Sequence, residues 1–236
     1  MKKTILVIGG TSGYGKGIVE ALSKEHNVVI AGRSSQTPMD VRSTKSVGDF
    51  FGIMRGFGYK FDTVIYCAGL AIGKDLVKDK SIDDSEKIMQ TNTLGLLRVA
   101  KTVFEELKEA NGMFIHLGSI ASRLNYIGGA DYCGSKAASS TIMRTLRNEW
   151  LGSGIRTCSI EIGIGNTEFH KNRYNGDMVK ADKHANGIRQ IEPIDLGNFV
   201  KTIIDLPDYL NLDEIVLKPI DQATHGVTVN DIKNQF

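Results

Sequence analysis

Tyr132 and Lys136, four residues apart in the 236-residue chain, are the side chains best placed by type and spacing for acid–base chemistry. A phenol with an ordinary pKa of about 10 is a poor base at neutral pH. On a helix, positions i and i+4 share one face. The lysine ammonium therefore favours the phenolate and draws the phenol toward neutrality. Such a phenol can give a proton to a carbonyl oxygen or take one from an alcohol. Ser119 follows the apolar run Met113 to Leu117, and its hydroxyl can bind the same oxygen and stabilise the charge that develops there. Singly, a Tyr/Lys pair on an exposed helix is common and a serine at a strand end is often a cap. The three together carry the weight.

A second constellation lies near the N-terminus, where Thr4 to Ile8 leads into Gly9-Gly10-Thr11-Ser12-Gly13-Tyr14-Gly15-Lys16-Gly17 and then a helical pattern. A strand feeding a glycine-rich turn at a helix N-terminus suits a pyrophosphate, since backbone N–H groups point at it and the dipole favours negative charge. Glycine lets the chain turn tightly and the ligand approach closely. An ordinary glycine-rich βα turn has the same composition, but placement on the first strand favours a nucleotide. The second strand ends in Ile30-Ala31-Gly32-Arg33-Ser34, and no Asp or Glu occurs from Val28 to Met39. A carboxylate here would accept from a ribose 2′-hydroxyl and repel a 2′-phosphate. Arg33 instead offers a guanidinium fork and Ser34 a hydroxyl, both suited to phosphate. Against the bland reading of a solvated surface arginine, this placement favours NADP as the cofactor.

The spacing Gly9-x-x-x-Gly13-x-Gly15 resembles the glycine turn of the short-chain dehydrogenases/reductases. Ser119, followed thirteen residues later by Tyr132-x-x-x-Lys136, resembles that family's Ser and Y-x-x-x-K elements in the same order. The resemblance runs from Thr4 to about Ala223. It implies hydride transfer between NADP and a small carbonyl or alcohol substrate. Tyr132 is then the general acid/base, Lys136 also holds the nicotinamide ribose, and Ser119 orients the substrate. Cofactor contacts are implied for Gly9, Thr11, Ser12, Gly13, Tyr14, Gly15, Arg33 and Ser34. The pair Asp40-Val41 would hold the adenine ring, and Cys67-Ala68-Gly69 would lie beside the adenine ribose. Gly163, Ile164 and Thr167 would meet the nicotinamide amide and the phosphates. Asn92 would distort its helix and hold a water linking Lys136 to solvent. Three positions depart from the family pattern: Ile8 replaces a Thr that braces the turn, Cys67 replaces an Asn, and Ile162 replaces a Pro. A homodimer or homotetramer through the helices Ser85 to Leu107 and Tyr132 to Trp150 is also implied.

Two other readings compete. A nucleotide sensor would keep the fold and lose the chemistry, with loss of the Tyr or Lys as its mark, and neither is lost. Nucleotide-sugar epimerases use a different glycine spacing and carry an added substrate domain that this length excludes.

These groups need a rigid frame. Apolar, β-branched runs at Thr4 to Ile8, Asn27 to Ala31, Thr63 to Cys67, Met113 to Leu117, Arg156 to Ile160 and Glu214 to Leu217 alternate with helical patterns. That alternation predicts an α/β fold: a Rossmann-type, doubly wound parallel sheet with helices on both faces, in one domain spanning 1–236. Helices are expected at Lys16 to Ser23, around Val47, Phe50, Phe51 and Met54, at Ser85 to Leu107, at Tyr132 to Trp150, and from Pro193 through Ile204. Asn111-Gly112 should stop the third of these. Between Arg33 and Asp40 there are too few residues for a crossover helix and a full strand. The third strand is therefore a stub near Met39 to Val41, or missing.

Composition narrows the function further. A net charge of +2, from 29 basic and 27 acidic residues, gives no polyanion-binding surface, so no nucleic-acid partner is expected. The histidines (His26, His116, His170, His184, His225) and cysteines (Cys67, Cys133, Cys158) show no ligand spacing, so neither a metal nor a disulfide framework is expected. A reducing, cytoplasmic location fits best. No apolar stretch approaches the ~18 residues needed to cross a bilayer. The substrate pocket should be walled by Ile120 to Gly129, Cys133 and the irregular stretch Glu168 to Ile191. That stretch carries Lys171, Arg173, Lys180, Lys183 and Arg189 against Glu168, Asp177 and Asp182. Its basic residues fit an anionic substrate; its polar, aperiodic composition fits better a solvated lid that orders over ligand.

Overall fold

In a computed structural model, the alternating runs form one six-stranded parallel sheet. The structure describes residues 2–174, 176–177, 179, 187–224 and 227–229. The strands are β1 (Thr4–Ile8), β2 (Asn27–Ala31), β3 (Thr63–Tyr66), β4 (Met113–Leu117), β5 (Arg156–Ile162) and β6 (Glu214–Leu217), in the order β2-β1-β3-β4-β5-β6. Side chains alternate along each strand, so each central strand serves two cores. Leu6, Ile8, Val64, Tyr66 and Phe114 face helices α2 (Thr44–Gly56), α4 (Gly95–Glu109) and α5 (Ala130–Glu149). Ile5, Val7, Ile65, Met113 and Ile115 face α1 (Gly13–Leu22) and α7 (Pro193–Ile204). Burial on both faces is why these strands read as unbroken apolar runs. A side chain at Gly17 would overlap the Pro193 backbone, and this lets α1 lie directly against α7.

The chain departs from β1 in opposite directions, to β2 on one side and β3 on the other. That reversal opens a crevice at the carboxyl ends of β1 and β3, where ligands bind in sheets of this kind.

The expected third strand shrinks to a single bridge between Gly32 and Pro38, with the Met39 N–H donating to Gly32 O at 3.0 Å. The Ser35 hydroxyl closes this loop. It accepts from Gly32 N at 3.1 Å and lies 2.8 Å and 2.6 Å from the carbonyl oxygens of Gly32 and Thr37. Met39 and Val41 then run buried beneath the sheet edge.

Element boundaries shift where local chemistry decides them. β3 ends at Tyr66, β5 continues to Ile162, and α1 starts at Gly13, inside the glycine turn. The helix expected over Ser85 to Leu107 starts earlier, with α3 (Ile82–Met89), capped by the Ser81 hydroxyl. It widens to a π-helical turn at Gln90–Leu94 before α4. Its stop at Asn111 is as expected: Asn111 has φ 47°, and Gly112 N and Asn111 N bond back to Leu107 O and Lys108 O at 2.8 Å and 3.2 Å.

Of the stretch Glu168 to Ile191, residues 175, 178 and 180–186, with Lys180, Asp182 and Lys183, lie outside the described residues. The described part forms α6 (Phe169–Arg173) and a bridge from Ile191 to Gly165. A short hairpin, β7 (Gln222–Thr224) with β8 (Val227–Thr228), follows β6. Among the described residues no helix is long and apolar enough to cross a membrane.

Candidate active site

The crevice is a cavity of about 780 Å³, and every predicted site residue except Asn92 lines it. At one end the turn Gly9 to Gly15 forms the wall with its backbone. A Cβ at Gly15 would overlap the Gly9 carbonyl oxygen, and one at Gly9 would come within 2.9 Å of the Ala68 backbone. Gly9 and Gly13 have φ of 83° and 48°, values only glycine adopts readily. Arg33 and Ser34 stand exposed beyond the end of β2.

Asp40 is held by a neighbour that sequence reasoning missed. The Arg42 guanidinium bonds both of its oxygens, at 2.6 to 3.1 Å, and keeps the carboxyl below its ordinary range. Arg42 lines the same wall. Its only sequence signal is adjacency to the Asp40-Val41 pair. Val41 is buried, its carbonyl accepting from Arg98 Nη1 at 3.2 Å.

At the middle of the cavity, Tyr132 and Lys136 are buried on the first turns of α5. Lys136 Nζ donates to Leu117 O at 3.0 Å, and a Cβ on Gly69 would be 3.7 Å from it. Burial pushes the Tyr132 phenol up to about 12, opposed by the hydrogen-bonding influence of the Ser119 hydroxyl and by the Arg173 charge. Burial lowers Lys136 to about 8, opposed by Glu161 and Cys67. Desolvation dominates, and the groups that temper it at the phenol are Ser119 and Arg173. The Cys67 thiol, also at the cavity wall, is pushed by burial up to about 12.

Asn92 sits behind this pair and braces it. Its Oδ1 accepts from Leu70 N at 2.7 Å, while its Nδ2 donates to Leu70 O at 2.8 Å and Ser135 Oγ at 2.9 Å. Asn92 therefore ties the chain after β3 to α5. The π-turn that holds it leaves Thr91 O to accept from the Tyr66 hydroxyl at 2.6 Å, and Gly95 leaves room for that hydroxyl. π-turns inside helices mark functional sites often.

Ser119 is positioned by Glu161, another residue the sequence reading passed over. Glu161 is fully buried. Its Oε2 accepts from Ser119 N at 2.9 Å and Ser122 Oγ at 2.8 Å, and its Oε1 from Ser159 Oγ at 2.8 Å. A charged residue in a strand buried on both faces is costly unless bonded in this way, and that was the available signal. Gly118 leaves the space Glu161 occupies.

On the far wall, Gly163, Ile164 and Thr167 line the cavity. The Ile164 N–H donates to the side-chain oxygen of Gln222 at 2.9 Å. Gln222 gave no signal, being 58 residues from Ile164.

A family model described as short chain dehydrogenase matches residues 35–177. The chain belongs to the short-chain dehydrogenase family. Among family members, serine 3-dehydrogenase of Rhizobium radiobacter is 29% identical, over 97% of this chain and 98% of its own. An NADP-dependent 3-hydroxy acid dehydrogenase of Schizosaccharomyces pombe is 31% identical, over 84% of this chain and 85% of its own. The closed form of a serine dehydrogenase complexed with NADP+ superposes with a TM-score of 0.89 at 28% identity, over 95% of this chain and 98% of its own.

The family's glycine turn and its Ser, Tyr and Lys elements thus meet in one cavity, with Asn92 behind them. The wall beyond Tyr132 is made by Tyr126, Phe169, His170 and Arg173. All four fall in the stretches expected to wall the substrate pocket, Ile120 to Gly129 and Glu168 to Ile191.

Proposed function

We propose that the protein is an NADP-dependent dehydrogenase/reductase that interconverts a small 3-hydroxy acid and its carbonyl form. The carrying observation is that the phosphate-type turn and the Ser119, Tyr132 and Lys136 groups line the same cavity. Its volume lies within the usual range for ligand pockets.

The residues present fit NADP. Three glycines of the turn, Gly9, Gly13 and Gly15, leave its backbone open for a pyrophosphate to approach. Asp40, the carboxylate at the Arg33 end, is already neutralised by Arg42, so the exposed Arg33 guanidinium is left to meet a 2′-phosphate. We assign Arg33 and Ser34 to that phosphate, Lys136 to the nicotinamide ribose, and Gly163, Ile164 and Thr167 to the nicotinamide end. Bound there, the nicotinamide donates or accepts the hydride.

The protein's own share is proton transfer and orientation. In reduction, the carbonyl carbon gains the hydride and Tyr132 gives its phenolic proton to the oxygen. In oxidation, the phenolate takes the hydroxyl proton as the C–H hydride leaves. A phenol held at about 12 is the protonated species at neutral pH, which favours the acid role. Ser119 hydrogen-bonds the reacting oxygen, and Glu161 fixes Ser119 through its backbone N–H. The substrate class follows the relatives, which act on serine and on 3-hydroxy acids.

The proposal extends to assembly and location. The exposed Leu94 and Leu97 at the start of α4 support a homo-oligomer built through that helix and α5, readable by light scattering. The three cysteines are free thiols, which supports a reducing, cytoplasmic setting.

The test is turnover of 3-hydroxy and 3-oxo acids, ketones, aldehydes and alcohols, followed by nicotinamide absorbance. Turnover with NADP(H) is expected. Tight NADPH binding with no turnover across the panel would favour the sensor reading instead.

A further inference from the structure

The guanidinium of Arg173 is a cation built into the cavity wall with part of its bonding capacity unspent. Arg173 is 3% exposed, and its Nη2 is buried with no hydrogen-bond partner among the described residues. Its other end is fixed firmly. Nε donates to Gly73 O at 2.8 Å, and Gly73 N returns a bond to Arg173 O at 2.8 Å. Three tyrosine rings surround the charge, with Cζ at 5.2 Å from Tyr126, 5.5 Å from Tyr132 and 6.0 Å from Tyr174. Rings temper a buried cation but do not replace an anion.

A second cation lies close by, with the Asp75 carboxylate beside Gly73. Lys74 lies over the same Tyr126 ring, at 5.0 Å, and its pKa is lowered, first by burial and then by Arg173. The nearby carboxylate of Glu168 is engaged by Lys171 at 3.7 Å. A buried, pinned guanidinium facing a cavity beside the proton-transfer group is the arrangement that binds a carboxylate by its fork.

Resting on the dehydrogenase reading above, we propose that Arg173 binds the substrate carboxylate and selects for 3-hydroxy acids over neutral alcohols. The carboxylate of such an acid stands one methylene from its carbinol carbon. With the hydroxyl at Tyr132 and Ser119, that carboxylate lies on the Arg173 side of the Tyr132 ring. Arg173 acts as a binding residue, setting which substrates reach Tyr132 in register.

The experiment compares 3-hydroxybutanoate with its methyl ester, using NADP+ and the whole chain, in the unmodified protein, Arg173→Leu and Arg173→Lys. The unmodified protein should prefer the acid by roughly 100-fold in kcat/KM, since a site built to bond a charged group rejects the analogue that lacks it. Arg173→Leu should bring the acid-to-ester ratio to within about threefold, because the acid loses its partner while both substrates share whatever the lost charge does to Tyr132. Arg173→Lys, which keeps the charge and loses the fork, should fall between. NADPH affinity reports whether each variant is folded. If Arg173→Leu does not fold, the acid-to-ester ratio of the unmodified protein decides alone. Equal use of acid and ester by the unmodified protein, or an equal loss on both in Arg173→Leu, overturns the assignment. Turnover of neutral alcohols without acid preference removes this inference and leaves the dehydrogenase reading standing; no NADP-linked turnover of any hydroxyl or carbonyl compound removes both.

Discussion

At one end of the cleft a single contiguous turn, Gly9 to Gly15, supplies the wall; at the other, side chains from distant segments do so. Arg173 reaches across 100 residues to Gly73, and Tyr126 and Phe169 close the wall with it. On the function proposed above, the first end meets a phosphate by shape and by N–H direction, which suits any phosphate ester. The second offers placed charge and ring faces, which can differ between enzymes that share the first. A family can therefore keep one end and change its substrates at the other.

The comparison breaks most completely at the backbone end. Gly15→Ala puts a Cβ onto the Gly9 carbonyl oxygen, so the turn must open. NADPH affinity should fall at least ~100-fold, about 2.7 kcal/mol, as read by titration of NADPH fluorescence. An unchanged affinity would show that the turn is not the phosphate site.

The pH dependence sharpens the middle of the cleft. With Tyr132 at about 12, the phenolate fraction rises tenfold per pH unit below that value. Alcohol oxidation, which needs the phenolate, should therefore climb with pH by up to ~10-fold per unit above neutrality. Reduction needs the phenol and the Lys136 ammonium. It should be halved near pH 8, where Lys136 is half deprotonated, and decline further above. Profiles of kcat/KM in the two directions check this; parallel profiles would contradict it.

A smaller effect is expected where β2 ends. Arg33→Ala should erase most of a preference for NADPH over NADH of about 10-fold, or ~1.4 kcal/mol, leaving NADH affinity nearly unchanged. Equal affinities in the unmodified protein would overturn the assignment of Arg33.

The same contrast explains what the sequence discloses. The glycine turn is contiguous, and Tyr132 and Lys136 are one helical turn apart, so period and spacing expose them. The short third strand is legible too, because chain length alone forbids a crossover between Arg33 and Asp40. Arg173, Gln222 and Arg42 act through partners that no periodicity connects to them, and only the folded crevice joins them. Glu161 lay within reach, as a carboxylate in a strand whose residues after Arg156 are otherwise apolar or small. The extent of burial at Tyr132 was not legible either, since it comes from the packing of Ala71, Ala121 and Cys133 around it.

The central claim is that Tyr132 moves the proton while the rest of the cleft binds. Tyr132→Phe removes one hydroxyl and keeps the ring that packs against Phe169 and faces Arg173. Turnover of the best 3-hydroxy acid should fall by roughly 10²-fold or more, the usual worth of a positioned proton donor, with NADPH affinity within about twofold. Full activity in Tyr132→Phe would contradict the account.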